Sequence, residues 1–218
     1  GMALAIQLVL AVRSVVGGRV LGNLITGRYH RPLREERIFL FLDLAGSTTL
    51  AERMGDIEAQ ALITKFFFDV AQATVMYGGE THRYIGDEVV VTWPLGRGIR
   101  DAACLRCCFA IDDRIAQCAS DYEGRFGVVP TYRMGLHGGP VVAAECGDDK
   151  HEIVYFGDTI NTAARIEQYC KEAGRSLLVS GDLMARMSLP DAWKADRVGS
   201  VQLRGRAGET DIFAVARA

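Results

Sequence analysis

The spacing of apolar and polar positions changes several times along the chain. Leu8, Val12, Val15 and Val16, then Leu21, Leu24 and Ile25, recur at helical intervals, so residues 3 to about 30 read as a first, helical unit. Gly17-Gly18 breaks or kinks it. Tyr29-His-Arg-Pro32-Leu-Arg-Glu-Glu is a polar linker, which divides the chain into a helical segment over 1–36 and a main domain over 37–218. Ile38-Phe-Leu-Phe-Leu42 is apolar without alternation, as in a strand buried on both faces, and it ends at Asp43. Gly46-Ser47-Thr48 has helix-start chemistry. A helical pattern then runs from about Thr49 to Tyr77, interrupted near Gly55-Asp56 and ended by Gly78-Gly79.

Thr81 to Ile85, Gly86-Asp87 and Val89 to Trp93 read as strand, tight turn and strand, with an acid at the tip. Asp101 to about Tyr122 is a second long helix. Tyr132 to His137 and Pro140 to Ala144 are two strands around Gly138-Gly139, and Ile153 to Phe156 is a short strand. Gly157-Asp158-Thr159 opens a helix through Tyr169. A strand from Ser176 to Val179, a short helix from Asp182 to Met187, and strands near Ser200 to Leu203 and Asp211 to Val215 complete the chain. The order is β-α-β-β-α-β with C-terminal αβ additions. The expected fold class is α+β: a ferredoxin-like core with one antiparallel sheet and helices on one face.

Composition narrows the function. With 218 residues, 49% hydrophobic and 24% charged, the chain can build a packed core. A formal net charge of -2 argues against binding nucleic acid through bulk positive charge, while leaving room for a small basic pocket for a triphosphate. Six cysteines in a core-rich chain of this length point to a reducing, cytoplasmic setting. Cys104-Leu-Arg-Cys107-Cys108 lacks a second ligand pair at zinc spacing and reads as buried thiols. Ala3 to Val16 contains Gln7 and Arg13 and is short for a bilayer span; the tail of a membrane segment, an interfacial helix and a packing helix all fit it.

Two acids carry the candidate chemistry. Asp43 follows a buried strand directly and precedes a helix whose open N–H groups and positive dipole end suit phosphate. A carboxylate there can hold a hard divalent cation, or simply cap the helix. Asp87, at a hairpin tip, can lie beside the end of the first strand, and two carboxylates there make a two-metal site for displacement at phosphorus. Its plainer reading is a turn aspartate. Glu88 is a third acid, but strand alternation points it away from the Asp87 face.

At this point the chain resembles a known family. Phe41-Leu-Asp43-Leu-Ala-Gly-Ser47-Thr48 is similar to the first metal motif of class III adenylate and guanylate cyclases, and Tyr84-Ile-Gly86-Asp87-Glu88 to the second. Arg133-Met-Gly-Leu-His137-Gly-Gly-Pro140-Val and Phe156-Gly157-Asp158-Thr159-Ile-Asn161-Thr-Ala-Ala-Arg165 are similar to two further motifs, all in the family's order. The resemblance implies that Asp43 and Asp87, with the Leu44 carbonyl, bind two Mg²⁺ or Mn²⁺ ions. It implies that Asn161 orients the ribose and Arg165 stabilises charge on the α-phosphate. Arg133 and Arg204 are implied at the phosphates, with Ser47 and Thr48 in the phosphate-facing turn. It implies ATP as substrate, with GTP as a second candidate, and a homodimer with active sites at the interface. An upstream membrane or sensor domain is left open, with residues 3–30 as the transducing helix.

The purine-selecting positions depart from the family. Arg83 stands where adenylate cyclases carry lysine, and Val154 where they carry aspartate or threonine. Valine cannot accept a hydrogen bond from the adenine amino group, which implies weak ATP/GTP discrimination. The expected function is a cyclase making cyclic AMP as the output domain of a signalling protein. A catalytically silent nucleotide-binding module is the alternative, and a cyclic-dinucleotide cyclase fits poorly. His137 is expected to be structural.

Overall fold

A computed structural model describes Gln7 and residues 29–147, 152–202 and 209–217. The helical periodicity expected over residues 3 to 30 lies almost wholly outside them, as do Arg204 and Arg206. The described elements are, in order, β1 (Leu33–Leu44), α1 (Ser47–Met54), α2 (Asp56–Met76), β2 (Glu80–Ile85), β3 (Glu88–Pro94), α3 (Leu95–Gly98), α4 (Ala103–Gln117), α5 (Ala119–Phe126), β4 (Tyr132–Cys146), β5 (Glu152–Phe156), α6 (Asp158–Ala173), β6 (Leu177–Ser180), α7 (Gly181–Met184), β7 (Trp193–Gln202) and β8 (Glu209–Arg217). A 3₁₀ turn over Arg100–Ala102 joins α3 to α4.

The chain forms two compact units, one of residues 36–140 and 158–218, the other of 1–35 and 141–157. In the larger unit the strand order is β2-β3-β1-β4-β6-β8-β7. Its first four strands have the ferredoxin-like arrangement that the element order implies. β1 pairs antiparallel with β3, and β2 with β3. β4 pairs with β6 in parallel, the one parallel pairing described.

Strand alternation decides which helix covers which face. Ile38, Leu40 and Leu42 of β1, Val89, Val91 and Trp93 of β3, and Met134 and Leu136 of β4 share one core with Leu62, Phe66 and Val70 of α2 and Leu105, Ile111 and Ile115 of α4. Asp69 of α2, 1% exposed, ties α2 to α4 and α5 by accepting from Arg114 Nε at 2.9 Å and Tyr122 Oη at 2.8 Å. The intervening residues face the other way. There Ile166 and Cys170 of α6 pack with Leu178 and Ile212 in a second cluster. The sheet therefore carries α2 and α4 on one face, as expected, and α6 on the opposite face, contrary to the expectation of helices on one face only.

The two strands expected around Gly138-Gly139 are one continuous strand, β4. These glycines serve close approach. A Cβ on Gly138 would lie 3.0 Å from Leu183 and 3.2 Å from Ile38, and one on Gly139 would lie 2.9 Å from Thr159 Oγ1. The long helices do break where glycine intervenes: α1 and α2 divide at Gly55. The second expected helix is divided too, into α4 and α5 at Cys118.

In the smaller unit the distal part of β4 pairs antiparallel with β5, from Val142 opposite Phe156 to Cys146 opposite Glu152. The Glu145 amide donates to the Tyr29 carbonyl at 2.9 Å, and His30 Nε2 lies 3.2 Å from Glu145 Oε2. No helix among the described residues is long and apolar enough to cross a membrane. Cys104, Cys107 and Cys108 are buried on α4, and burial pushes the thiols of Cys104 and Cys107 up to about 12. They are core-packing groups, as the sequence suggests.

Candidate active site

The site forms where β1 ends beside the β2–β3 turn. The apolar run of β1 is buried to Leu42, so the chain surfaces at Asp43, the first polar position. The Leu44 amide donates to the Asp87 carbonyl at 3.4 Å, and the Ala45 amide to the Thr131 carbonyl at 2.8 Å. The first bond holds the end of β1 against the hairpin tip and the second ties it to the start of β4, so Asp43 and Asp87 are neighbours. Leu44 is 1% exposed; its side chain belongs to the core, and only its backbone can serve a ligand.

Strand register corrects the reading of Glu88. It pairs directly with Asp43 across β1 and β3, so the two side chains leave the same face of the sheet. Alternation along β3 misled because Asp87 sits in the turn, outside the pleat. Glu88 is pushed up to about 7, first by burial and then by the charges of Glu167, Asp43 and Asp87. Asp43 is also raised, by burial and by Asp87, against the lowering effect of Arg133.

Arg133, on β4, is the cation among these acids. Its Nη2 donates to Asp43 Oδ2 at 2.7 Å and its Nε to Glu167 Oε1 at 3.0 Å. The ion pair with Asp43 raises the Arg133 guanidinium further. Glu167 was not singled out from the sequence, yet a signal is present. Ala163, Ile166 and Cys170 form the buried stripe of α6, and Glu167 falls inside it. A carboxylate on an apolar stripe requires a partner. Gly135 admits α6 this close, since a Cβ there would overlap the Glu167 amide nitrogen.

Asn161 and Arg165 are turned away from this cluster. With 3.6 residues per turn, Arg165 stands about 160° and Asn161 about 120° around α6 from Glu167. Asn161 is exposed. Ser47 and Thr48 begin α1, whose preceding residue, Gly46, offers no side chain to cap its first amides. Arg83 is exposed on β2 beside a register shift between Thr81 and Arg83. Val154 is half-buried on β5, paired with Ala144 in the smaller unit. His137 is buried in the middle of β4 with Nδ1 2.7 Å from Ser180 Oγ, a structural setting.

The donor set suits a hard divalent cation. With burial, the charge of Asp87 helps raise Asp43, Glu88 and Glu167, while Arg133 opposes the rise at Asp43 and Glu167. Excess negative charge on oxygen ligands favours Mg²⁺ or Mn²⁺. Among the described residues no three His, Cys, Asp or Glu side chains converge to chelate one ion. Asp43 and Asp87, with the Leu44 carbonyl, are the groups that could hold such an ion here.

A ferredoxin-like α+β domain with two aspartates gathered beside an arginine at the end of its first strand defines the class: an α+β domain with a carboxylate-rich site. The chain belongs to the adenylate and guanylate cyclase catalytic domain family, which residues 33–216 match. It is 45% identical over 207 residues to adenylate cyclase 2 of Rhizobium meliloti (strain 1021), covering 95% of this chain and 57% of that protein. The chain thus spans little more than half the length of this relative. Its fold is similar to a bacterial light-regulated adenylyl cyclase, with a TM-score of 0.82 at 21% identity, covering 98% of this chain and 62% of that one. It is also similar to the adenylyl cyclase CyaB from P. aeruginosa, with a TM-score of 0.73 at 18% identity over 86% of this chain and 97% of that one.

Proposed function

We propose that the chain converts ATP to 3′,5′-cyclic AMP and pyrophosphate in a metal-dependent reaction, as a homodimer and as the output part of a signalling protein. One observation carries this reading. Asp43, Asp87 and Arg133 gather at one place, whereas Asn161 and Arg165 lie on the side of α6 turned from Glu167. A site needing both sets is completed by a second copy of the chain. An exposed apolar strip supports such a surface: Ile57, Phe68 and Val75 of α2, with Tyr84 and Ile85 of β2. ATP is favoured by the 45% identical relative, an adenylate cyclase. The absence of an acceptor at Val154 makes GTP a second substrate.

Asp43, Asp87 and the Leu44 carbonyl would hold two Mg²⁺ or Mn²⁺ ions. Such ions, when bound, acidify the ribose 3′-hydroxyl and neutralise the leaving pyrophosphate. The 3′-oxygen attacks the α-phosphorus, the bond to the β-phosphate oxygen breaks, and the hydroxyl proton passes to water. Asn161 fixes the ribose, and Arg165 presents its fork of donors to charge growing on the α-phosphate. Arg204 grips the outer phosphates and Arg133 stands near the phosphates, with Ser47, Thr48 and the open amides of α1. Arg83 and Val154 meet the purine.

Purified chain incubated with MnATP is expected to release cyclic AMP and pyrophosphate in equal amounts. No cyclic product from ATP or GTP, with either metal and with dimer present, would overturn the proposal.

A further inference from the structure

We infer that Glu167 is a positioning residue: it anchors the Nε edge of Arg133, so that the Nη edge can leave Asp43 when a divalent cation takes up that carboxylate. The inference rests on the metal-dependent reading above.

Arg133 is shared between two carboxylates through different edges of one planar fork, Nη2 to Asp43 at 2.7 Å and Nε to Glu167 at 3.0 Å. The two partners differ in setting. The Asp43 side chain is 21% exposed and that of Glu167 is 6% exposed. Glu167 is also the fixed partner. Its helix turn is pressed onto Gly135, and its neighbours Ala163, Ile166 and Cys170 are buried.

Asp43 has two competing uses. An Asp43 oxygen committed to a cation cannot also keep a short ion pair with Arg133. A guanidinium paired with Asp43 alone would oppose the cation and, once displaced, would swing free. A second carboxylate on Nε changes both outcomes. It supplies part of the compensation that Arg133 would otherwise take from Asp43. It also retains the guanidinium beside the site, with its Nη donors released toward phosphate. A buried charge on an apolar helix stripe is costly unless it is paired, and Arg133 is a partner that offsets this cost for Glu167.

A simpler role would be to add negative charge near the cation, with no part for Arg133. The two are separated by measuring Mn²⁺ binding to the nucleotide-free chain by electron paramagnetic resonance. The proteins are wild type, Glu167→Gln, Arg133→Met and the double variant, with melting curves to confirm folding. Glu167→Gln is expected to weaken Mn²⁺ binding about fivefold, the size of one hydrogen bond's net contribution. Arg133→Met is expected to tighten it, and adding Glu167→Gln to Arg133→Met to change it less than twofold. Equal weakening with and without Arg133, or no weakening in either, overturns the inference. Glu167→Asp keeps the charge but shortens the reach, and should weaken binding as Glu167→Gln does; wild-type affinity in that variant also overturns it. If wild type binds no Mn²⁺, the metal-dependent reading itself fails, a result distinct from the others.

Discussion

Glu88 stands directly across from Asp43 in the pairing of β3 with β1, which sets two carboxylates side by side on one face of the sheet. Placing like charges opposite each other on a sheet is destabilising. Burial and the surrounding acids accordingly push Glu88 up to about 7 from an ordinary 4.5. Between these values the folded chain keeps a proton that the unfolded chain has released. Stability from this group is therefore present at low pH and is lost as pH rises toward 7. Glu88→Gln should raise the melting temperature of the metal-free protein at pH 8 and leave it unchanged near pH 4. With solvent screening the gain is on the order of 1 kcal/mol, or a few degrees. Differential scanning calorimetry at the two pH values measures it, and equal shifts at both would be the contrary result.

The proposed division of the site between subunits predicts complementation. Asp43→Ala and Arg165→Ala should each reduce turnover at least about 100-fold. Mixed by co-expression, they should recover about a quarter of wild-type activity, since half the dimers are mixed and each mixed dimer has one intact site. A mixture no more active than either variant alone would place both residues in one subunit's site.

Gly135→Ala should be severely destabilising, because a Cβ there overlaps the backbone of α6. The expected cost is about 3 kcal/mol, read as a melting temperature lower by at least about 6 °C. Gly124→Ala, inside α5 where a Cβ meets nothing within 4 Å, serves as the contrast and should melt slightly above wild type, since alanine in an open helix position is about 0.5–1 kcal/mol better than glycine.

Purine choice is tested at Val154. Val154→Asp supplies an acceptor for the adenine amino group and opposes the guanine carbonyl. It should raise the ATP:GTP ratio of kcat/KM by about tenfold. An unchanged ratio would remove Val154 from the purine pocket.

Much of the architecture was legible in the chain. The unbroken apolar run before Asp43, the glycine breaks at Gly55 and Gly78-Gly79, and the hairpin tip at Asp87 are local patterns. Each rests on the conformational preferences of a few adjacent residues, and each is present in the fold. Motif order was enough to indicate the family. Tertiary structure decided what depends on partners distant in sequence. Glu88 faces Asp43 because of a strand register that no local pattern encodes. Glu167 reaches Arg133, 34 residues away, because Gly135 lets a helix press on a strand. Gly138 and Gly139 read as a turn, yet they are flat strand residues chosen for the space they leave to Leu183 and Thr159. The sequence by itself determined the local elements and the order of the motifs that mark the family. Packing decided that one arginine is divided between two of the acids, because charge compensation depends on distance in space and not along the chain.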